Sequence, residues 1–123
     1  MTQSSHYDTV AFDVRDNAAM LFFADTADSG DIKSYLLLMR AGDETLDEAI
    51  YLEIDEQQLA GKDVIREAEL TANILTLRLH PAAARQFGGG ELIVTFDDNE
   101  ANRAGIEAGA LRVLGDKLAG GHS

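Results

Sequence analysis

The histidines and serines are the residues of this chain that most readily do acid–base or nucleophilic chemistry. The three histidines, His6, His80 and His122, are widely separated, and none has a second histidine or a carboxylate at zinc-ligand spacing. The serines lie in polar segments, and none stands in the Gly-x-Ser-x-Gly pattern of a nucleophile elbow. Because the chain has no cysteine, thiolate catalysis and thiolate metal sites are excluded. A Ser–His–Asp arrangement assembled only by the fold stays open.

Two glycine-containing segments match phosphate-binding loops only in part. In Gly61-Lys62-Asp63, an aspartate stands where such a loop needs serine or threonine after the lysine. The run Gly88-Gly89-Gly90 follows a predicted helix and precedes a predicted strand, which is the reverse of the order that a nucleotide-binding loop requires. A helix stop followed by a turn explains this run better. The sequence therefore predicts no nucleotide cofactor.

Acidic residues near the C-terminal end could in principle bind calcium. The segment Asp97-Asp98-Asn99-Glu100 begins like a calcium loop, which needs glycine at its sixth position and glutamate at its twelfth. Those positions hold Asn102 and Ala108. The better interpretation is a helix N-terminus in which Asp97 is the cap and Glu100 completes a capping box. The sequence thus predicts no metal site, no cofactor and no catalytic residue, and it favours a protein that is not an enzyme.

The charge balance indicates the kind of partner that the chain could bind. Acidic residues number 22 against 10 basic residues, so the net charge is −12. Such a field repels nucleic acid and anionic membranes, and it accelerates the encounter with basic partners. The alternative is that the acidity serves solubility alone.

The distribution of the acids favours a binding role. The segment from Ala41 to Gly61 contains no lysine or arginine but seven acids, whereas a solvated loop normally mixes both signs. Tyr51 lies within the same segment and can be exposed beside them. We therefore predict that this segment contacts a basic partner. The predicted partner-binding residues are Asp43, Glu44, Asp47, Glu48, Tyr51, Glu53, Asp55 and Glu56.

Apolar periodicity predicts the strands that position these residues. Ile50–Asp55 alternates cleanly, with Tyr51, Glu53 and Asp55 turned outward. Tyr35–Arg40 is apolar on both faces, which is typical of a central strand covered on both sides. A hairpin turn is expected at Thr71-Ala72-Asn73, with Asn73 in the left-handed conformation. The predicted strands are His6–Val14, Ala18–Ala24, Tyr35–Arg40, Ile50–Asp55, Ile65–Leu70, Ile74–His80 and Glu91–Phe96.

Two helices complete the predicted fold. Pro81 opens a short helix over Ala82–Phe87, and a longer helix follows Asp97. The apolar stripe of the longer helix consists of Ile106, Ala110, Val113, Leu114 and Leu118. Strands first and the main helix last indicate the α+β class: a mostly antiparallel sheet of about six to seven strands, with the C-terminal helix packed on one face.

Length and the N-terminal residues bound the organisation of the chain. A chain of 123 residues is one ordinary domain, which we place at residues 1–118, followed by a flexible tail at 119–123. The start of the sequence has no apolar segment typical of an export signal. Together with the absence of cysteine, which suits a reducing compartment, this predicts a cytoplasmic protein.

Several blocks of the sequence resemble one known family. The segments Tyr35–Arg40, Ile50–Gln57 and Ile65–Leu79 are similar to successive blocks of the immunity protein 10 family of bacterial polymorphic toxin systems. The similarity extends over roughly Tyr35 to Leu114. The resemblance implies a cytosolic antidote that binds and neutralises a cognate toxin, and it carries over no catalytic residue. Within the best-matched block, Glu53 and Asp55 are either toxin contacts or an outward strand face with an aspartate that caps a turn.

Two alternatives remain at this point. The chain could be an interaction or assembly module of another kind, such as a homodimer that uses the Tyr35–Met39 strand or a small subunit of a larger complex. It could also be a small enzyme without a recognisable motif, which an acid-lined pocket containing a strongly shifted pKa would indicate.

Overall fold

The computed structural model describes residues 2–15, 17–26, 28–41, 50–55, 59–87 and 89–118. Within these ranges the chain forms nine strands, two α-helices and a short 3-10 turn. The strands are β1 (Thr2–Tyr7), β2 (Thr9–Arg15), β3 (Ala18–Thr26), β4 (Ile32–Ala41), β5 (Tyr51–Ile54), β6 (Leu59–Lys62), β7 (Ile65–Thr71), β8 (Ile74–Leu79) and β9 (Glu91–Phe96). The helices are α1 (Pro81–Gln86) and α2 (Glu100–Leu114), and the 3-10 turn is Gly115–Lys117. The tail predicted at 119–123 lies outside the described residues.

The strands divide between two sheets. A four-stranded sheet has the order β1-β9-β8-β7, and a five-stranded sheet has the order β2-β3-β4-β5-β6. The β1–β9 pair is parallel and the other neighbours are antiparallel. The predicted α+β class is confirmed, although the described strands form two sheets where the sequence predicts one.

The chain passes from one sheet to the other at Asp8, so the predicted strand His6–Val14 is in fact parts of two strands. The Asp8 carboxylate accepts hydrogen bonds from the backbone N–H of Thr26 at 3.0 Å and from its hydroxyl at 2.8 Å, and a third from the hydroxyl of Thr9. These bonds, the one from the Thr26 backbone first, lower the pKa of Asp8 because they stabilise its charged form. The sequence contains a sign of this break, because the buried apolar residues Tyr7 and Val10 are three positions apart instead of two.

The two sheets and α2 share one hydrophobic core. Alternate residues of the central strands point into it, including Leu21 and Phe23 of β3 and Leu75 and Leu77 of β8, all of them fully buried. Phe23 contacts Phe96 of the other sheet, with ring centroids 6.0 Å apart. Burial of each such side chain stabilises the fold by about 1.5–3 kcal/mol. This packing fixes which face of each sheet is turned away from the core.

Helix α2 begins at Glu100, and its cap is Asn99 rather than the predicted Asp97. The side-chain oxygen of Asn99 accepts a hydrogen bond from the backbone N–H of Asn102 at 2.8 Å. The buried Asn102 amide accepts from the Val10 backbone N–H and donates to the carbonyls of Asp8 and Asp97, at 2.8 to 2.9 Å. These bonds join the start of α2 to the residues around Asp8, where the chain passes from one sheet to the other.

The apolar stripe predicted for α2 is confirmed at Ile106, Ala110, Val113 and Leu114, which are buried. Leu118, the fifth member, lies beyond the helix and forms a bridge with Ala68 of β7. Two glycines allow the helix to approach β2 and β3 closely. A Cβ at Gly105 would lie 3.0 Å from the carbonyl oxygen of Val10, and one at Gly109 would lie 2.8 Å from side-chain carbons of Leu21 and Phe12. Larger residues at these two positions would push the helix off the sheet.

Two local expectations differ from the structure. Strand β6 (Leu59–Lys62) lies between the predicted strands Ile50–Asp55 and Ile65–Leu70, where the sequence predicts no strand. At the β7–β8 turn, Ala72 and not Asn73 has a positive φ, of 52°. The Asn73 side chain instead donates to the carbonyl oxygen of Phe96 at 2.8 Å, which joins the turn to β9. The short helix α1 is confirmed, with Pro81 in its first turn.

Candidate functional site

The side of the five-stranded sheet that faces away from the core carries large apolar and aromatic side chains. Cross-strand pairs on this side are Met20 with Met39 and Met39 with Tyr51. Because strand residues alternate between faces, the remaining large side chains of this side follow from the same register. We define the apolar face as Met20, Phe22, Tyr35, Leu37, Met39, Tyr51 and Glu53.

The apolar face remains partly open to solvent. Its apolar and aromatic members are half-buried, whereas Leu36 and Leu38, which alternate with them along β4, are almost completely buried. The contacts of Gly105 and Gly109 place α2 against the opposite side of the sheet. The prediction that the Tyr35–Arg40 strand is covered on both sides is therefore wrong. Strand β4 is central in its sheet, but the described elements bury one of its two faces.

A carboxylate lies within the apolar face. Glu53 is only 9% exposed. The hydroxyl of Tyr35 donates to Glu53 Oε2 at 2.5 Å, and the hydroxyl of Tyr51 donates to Oε1 at 2.6 Å. Hydrogen bonds to a charged acceptor are short and strong, and these two stabilise the ionised form of Glu53.

The hydrogen bond from Tyr51 to Glu53 also makes the phenol of Tyr51 a weaker acid. This bond is the largest cause of a shift that raises the pKa of Tyr51 to about 12, because the phenol must keep its proton to donate to the carboxylate. The two phenols carry no charge of their own, and both donate to the carboxylate of Glu53. This clasp, defined as Tyr35, Glu53 and Tyr51, places a negative charge among apolar groups.

Aromatic rings and methionines surround the clasp. The ring of Phe22 packs on that of Tyr35, with centroids 5.4 Å apart and an angle of 30° between the planes. Aromatic faces attract cations, and methionine side chains adapt to differently shaped partners. The apolar face can therefore bury apolar surface of a partner and interact with a positive group at the same place.

The structure brings together two of the predicted partner-binding residues and gives a third a local role. Tyr51 and Glu53 both belong to the apolar face, and their predicted outward orientation is found, although Glu53 is buried among its neighbours. Asp55 accepts from the backbone N–H of Tyr35 at 2.9 Å and donates its own N–H to the Tyr35 carbonyl at 3.1 Å. It therefore joins the end of β5 to β4. The other predicted residues, Asp43, Glu44, Asp47, Glu48 and Glu56, lie outside the described residues.

Sequence reasoning missed the contributions of Met20, Phe22 and Tyr35. The signal was present, because β3 and β4 are apolar on both faces while β5 beside them has an outward glutamate. If another element covered the outward side of β3 and β4, it would also lie against the outward side of the neighbouring strand β5. The outward glutamate of β5 therefore argues against such a cover.

The outer side of the four-stranded sheet has different chemistry. Arg78 Nη1 lies 2.7 Å from Glu67 Oε1, its Nη2 lies 3.1 Å from Glu69 Oε1, and its Nε lies 3.5 Å from Glu91 Oε2. The hydrogen bonds to Glu69 and Glu67 raise the pKa of Arg78. We define the charged face as Glu67, Glu69, Arg78 and Glu91. Its positive and negative groups pair with one another.

One arrangement of side chains resembles part of a hydrolase site. The His6 ring lies 2.7 Å from the Thr95 hydroxyl through Nδ1 and 2.7 Å from Asp97 Oδ1 through Nε2. His6 and Asp97 are each about half exposed, at 54% and 51%. The three lie at the solvent-facing side of β1 and β9. A hydroxyl nucleophile also needs positioned donors for the developing oxyanion, and nothing described around Thr95 supplies them.

Two cavities lined by described residues are mixed in character. One of about 400 Å³ is lined in part by Lys62, His80 and Gln86, and one of about 420 Å³ lies along Glu100, Arg103 and Glu107 of α2. Within the described ranges, no group of three or more histidine or acidic side chains is placed to hold a metal ion. The apolar face is thus the described surface with the most distinctive chemistry.

A comparison of the sequence with models of known protein families finds no match, and a search of curated proteins finds none either. In the described part of the chain, neither helix is both long enough and apolar enough to span a bilayer. Function is therefore inferred from the chemistry of the surface and from the resemblance of the sequence blocks.

Proposed function

We propose that this chain is a cytoplasmic immunity protein that binds and neutralises a cognate basic bacterial toxin. The observation that carries the proposal is the apolar face, in which half-buried methionines, aromatics and Leu37 surround the carboxylate of Glu53. An antidote of this kind acts by occupying a surface of its target, so it needs a binding face and no catalytic group. Aromatic residues and methionine are enriched in the centres of protein interfaces.

The charge of the chain favours a basic target. A net charge of −12 steers a basic protein toward the domain and disfavours nucleic acid as the ligand. The sequence blocks that resemble the immunity protein 10 family include β4 and β5, which form much of the apolar face. The resemblance and the surface thus support the same role.

The test is co-expression with the C-terminal domain of a large secreted protein encoded beside this gene. We expect the wild-type chain to relieve growth arrest by that domain and to co-purify with it as a stoichiometric complex. An unrelated acidic protein of similar size and charge is the control, because relief by both would reflect charge alone. If this chain neither relieves arrest nor co-purifies with the toxin domain, the proposed function is wrong.

A homodimer or other assembly module is the second candidate, because the apolar face would also suit a second copy. Analytical ultracentrifugation over a range of concentrations separates the two. A monomer at all concentrations supports the antidote, and a concentration-dependent dimer supports the assembly module.

A further inference from the structure

Strands at the edges of the two sheets present backbone groups on a side where no neighbouring strand pairs with them. Among the described strands these edges are β1 and β7 in the four-stranded sheet and β2 and β6 in the five-stranded sheet. An edge strand can pair with a strand of another chain, so proteins usually cover or blunt it. The way in which each edge is covered therefore indicates where another chain can pair.

Other parts of the chain cover β6 and β7 at least locally. The side-chain amide of Gln86 donates to the carbonyl oxygen of Ala60 on β6 at 2.7 Å. Ala68 of β7 forms a bridge with Leu118, which follows the 3-10 turn after α2. A strand added at either edge would have to displace these contacts.

Strand β2 is blunted by its own side chains and by α2. The backbone N–H of Val10 donates to the side chain of Asn102 at 2.8 Å, and that of Val14 donates to the carboxylate of Asp13 at 2.9 Å. Asp13 also pairs with Arg15 at 2.7 Å. Charged side chains at an edge keep other strands from pairing with it, and these two N–H groups are already occupied.

Strand β1 has no such cover in the described part of the chain. The backbone N–H of Asp97 donates to the carbonyl oxygen of Tyr7 at 3.2 Å, so Tyr7 turns its backbone groups toward β9. No described residue bonds to the backbone of Ser4 or His6, and both residues are exposed. Because backbone directions alternate along a strand, the residues whose N–H and C=O groups point away from β9 are Thr2, Ser4 and His6.

The side chains of β1 leave this edge accessible and hold it in place. The segment Thr2–Tyr7 contains no acidic residue, lysine, arginine or proline, so the residues that usually block an edge are missing from it. The ring of His6 bonds to Thr95 and Asp97, which fastens β1 to β9. A partner would therefore meet backbone groups that are already extended, and this lowers the entropic cost of binding.

The chemistry of the edge and the charge of the chain identify the occupant. A row of backbone N–H and C=O groups is matched by the backbone of another extended segment. Two copies that met through β1 would bring together two domains with a net charge of −12 each. A basic protein gains instead from long-range attraction, so the favoured occupant is a segment of a basic protein and not a second copy.

We propose that the open edge of β1 is a strand-addition site, at which an extended segment of the basic partner protein pairs with the backbone of Ser4 and His6 and enlarges the four-stranded sheet. The proposal deepens the proposed function and rests on it, because the partner is the toxin. It adds a main-chain contact to the apolar face, to which β1 is connected through Asp8 and β2.

Hydrogen exchange of the isotope-labelled chain, with and without the purified neighbouring toxin domain, tests the pairing directly. An added strand accepts hydrogen bonds from the amides of Ser4 and His6, so we expect their exchange in the complex to slow about 10-fold or more. The amides of Ser5 and Tyr7 point toward β9 and are the internal control. Their exchange should change less.

A proline variant measures what the edge contributes to affinity. Ser4→Pro removes an N–H that points away from β9, and proline is tolerated on an edge strand at such a position. Its ring also obstructs an incoming strand, so we expect Kd for the toxin domain to rise about 10-fold or more in titration calorimetry. The matched control is Ser4→Thr, which keeps the N–H and should leave Kd within about twofold of wild type. Melting temperatures check that both variants are folded.

The outcomes distinguish this inference from the proposed function. If wild type binds the toxin domain but the Ser4 and His6 amides exchange as fast as before, β1 is not the site, although the antidote role stands. If Ser4→Pro folds poorly, the exchange measurement on wild type decides. If wild type does not bind at all, the proposed function fails and the inference fails with it. If the same amides become protected when wild type alone is concentrated, the occupant is a second copy, and the assignment to a basic partner is overturned.

Discussion

On the outer side of the four-stranded sheet, Arg78 pairs with three glutamates, whereas on the outer side of the five-stranded sheet two neutral phenols hold the carboxylate of Glu53 among apolar groups. On the first surface, one guanidinium pairs with all three carboxylates. On the second, two phenols donate to one carboxylate, and the apolar side chains around it are partly exposed. A partner would have to break ion pairs to use the charged face, but it would gain from burying the apolar face.

The outer sides of the two sheets also differ in the pattern of apolar and polar residues along their strands. Antiparallel sheets with one solvated side normally alternate apolar and polar residues, as β8 does with Leu75, Leu77 and Leu79 inward and Thr76 and Arg78 outward. Strands β3 and β4 do not follow this rule. Their outward residues have the composition of an interface core although they lie on the surface.

The largest effects are expected from a pair of adjacent phenylalanines on β3. Phe23 is fully buried in the core, whereas Phe22 is a half-buried member of the apolar face. We expect Phe23→Ala to lower the free energy of unfolding by about 3–5 kcal/mol, since it opens a cavity. We expect Phe22→Ala to lower it by only about 1 kcal/mol, because surrounding side chains and water can fill the space. Urea denaturation followed by circular dichroism measures both.

The same pair separates stability from binding. Phe22→Ala should weaken binding of the toxin domain under conditions in which the variant is fully folded, because it removes a ring from the apolar face. Equal losses of stability for the two variants would mean that both sides of β3 are core, and the contrast between the faces would then fail.

The strands whose outward side is polar could be predicted from the sequence, and those that form the apolar face could be predicted only in part. Leu75, Leu77 and Leu79 alternate with polar residues, so both the strand and its buried side follow from periodicity. Ala18–Ala24 and Tyr35–Met39 are apolar throughout, and periodicity cannot tell a second buried face from an interface. The sequence predicts that both faces of Tyr35–Met39 are buried, whereas the outward side chains of Tyr35, Leu37 and Met39 are partly exposed in the structure.

The clasp itself depends on register, which a single sequence does not contain. Tyr51 and Glu53 share a face because they are two residues apart, and they were predicted to lie together. Tyr35 joins them because β4 pairs with β5 so that Leu37 lies opposite Glu53. The division into two sheets at Asp8 depends in the same way on a distant residue, Thr26.

An intermediate effect is expected where α2 covers the inner side of the five-stranded sheet. Alanine normally stabilises a helix relative to glycine by about 1 kcal/mol. At position 109, however, the new Cβ would lie 2.8 Å from carbons of Leu21 and Phe12. We therefore expect Gly109→Ala to lower the free energy of unfolding by about 1–3 kcal/mol in spite of the better propensity. Thermal and urea denaturation measure the change.

The matched control is Ala108→Gly, one residue away on the exposed side of α2. It should cost about 1 kcal/mol, from propensity alone. If Gly109→Ala and Ala108→Gly both destabilise the fold, although they are opposite changes, the loss at position 109 comes from the close packing of α2 on the sheet and not from helix propensity. If Gly109→Ala is as stable as wild type or more so, α2 does not close the inner side as tightly as the structure indicates.

The smallest effect is a pH dependence that originates in the clasp. The pKa of Tyr51 is raised from its ordinary value of 10.0 to about 12, first by the hydrogen bond to Glu53. The folded state therefore holds this proton more tightly than the unfolded state does. The stabilisation is complete below about pH 10 and is lost as the pH rises toward about 12. We expect the unfolding midpoint of wild type to fall more steeply over this window than that of Tyr51→Phe.

Ultraviolet absorbance of the phenolate gives the direct measurement. Subtracting the titration of Tyr51→Phe separates Tyr51 from the other two tyrosines, Tyr35 and Tyr7, and burial raises the pKa of Tyr7. Because the main cause of the shift is a bond to a charged carboxylate, Glu53→Gln should bring the Tyr51 transition back toward its ordinary range. A Tyr51 that ionises normally in wild type would mean that the clasp does not hold a charged Glu53. The apolar face would then differ from the charged face only in its lack of polarity.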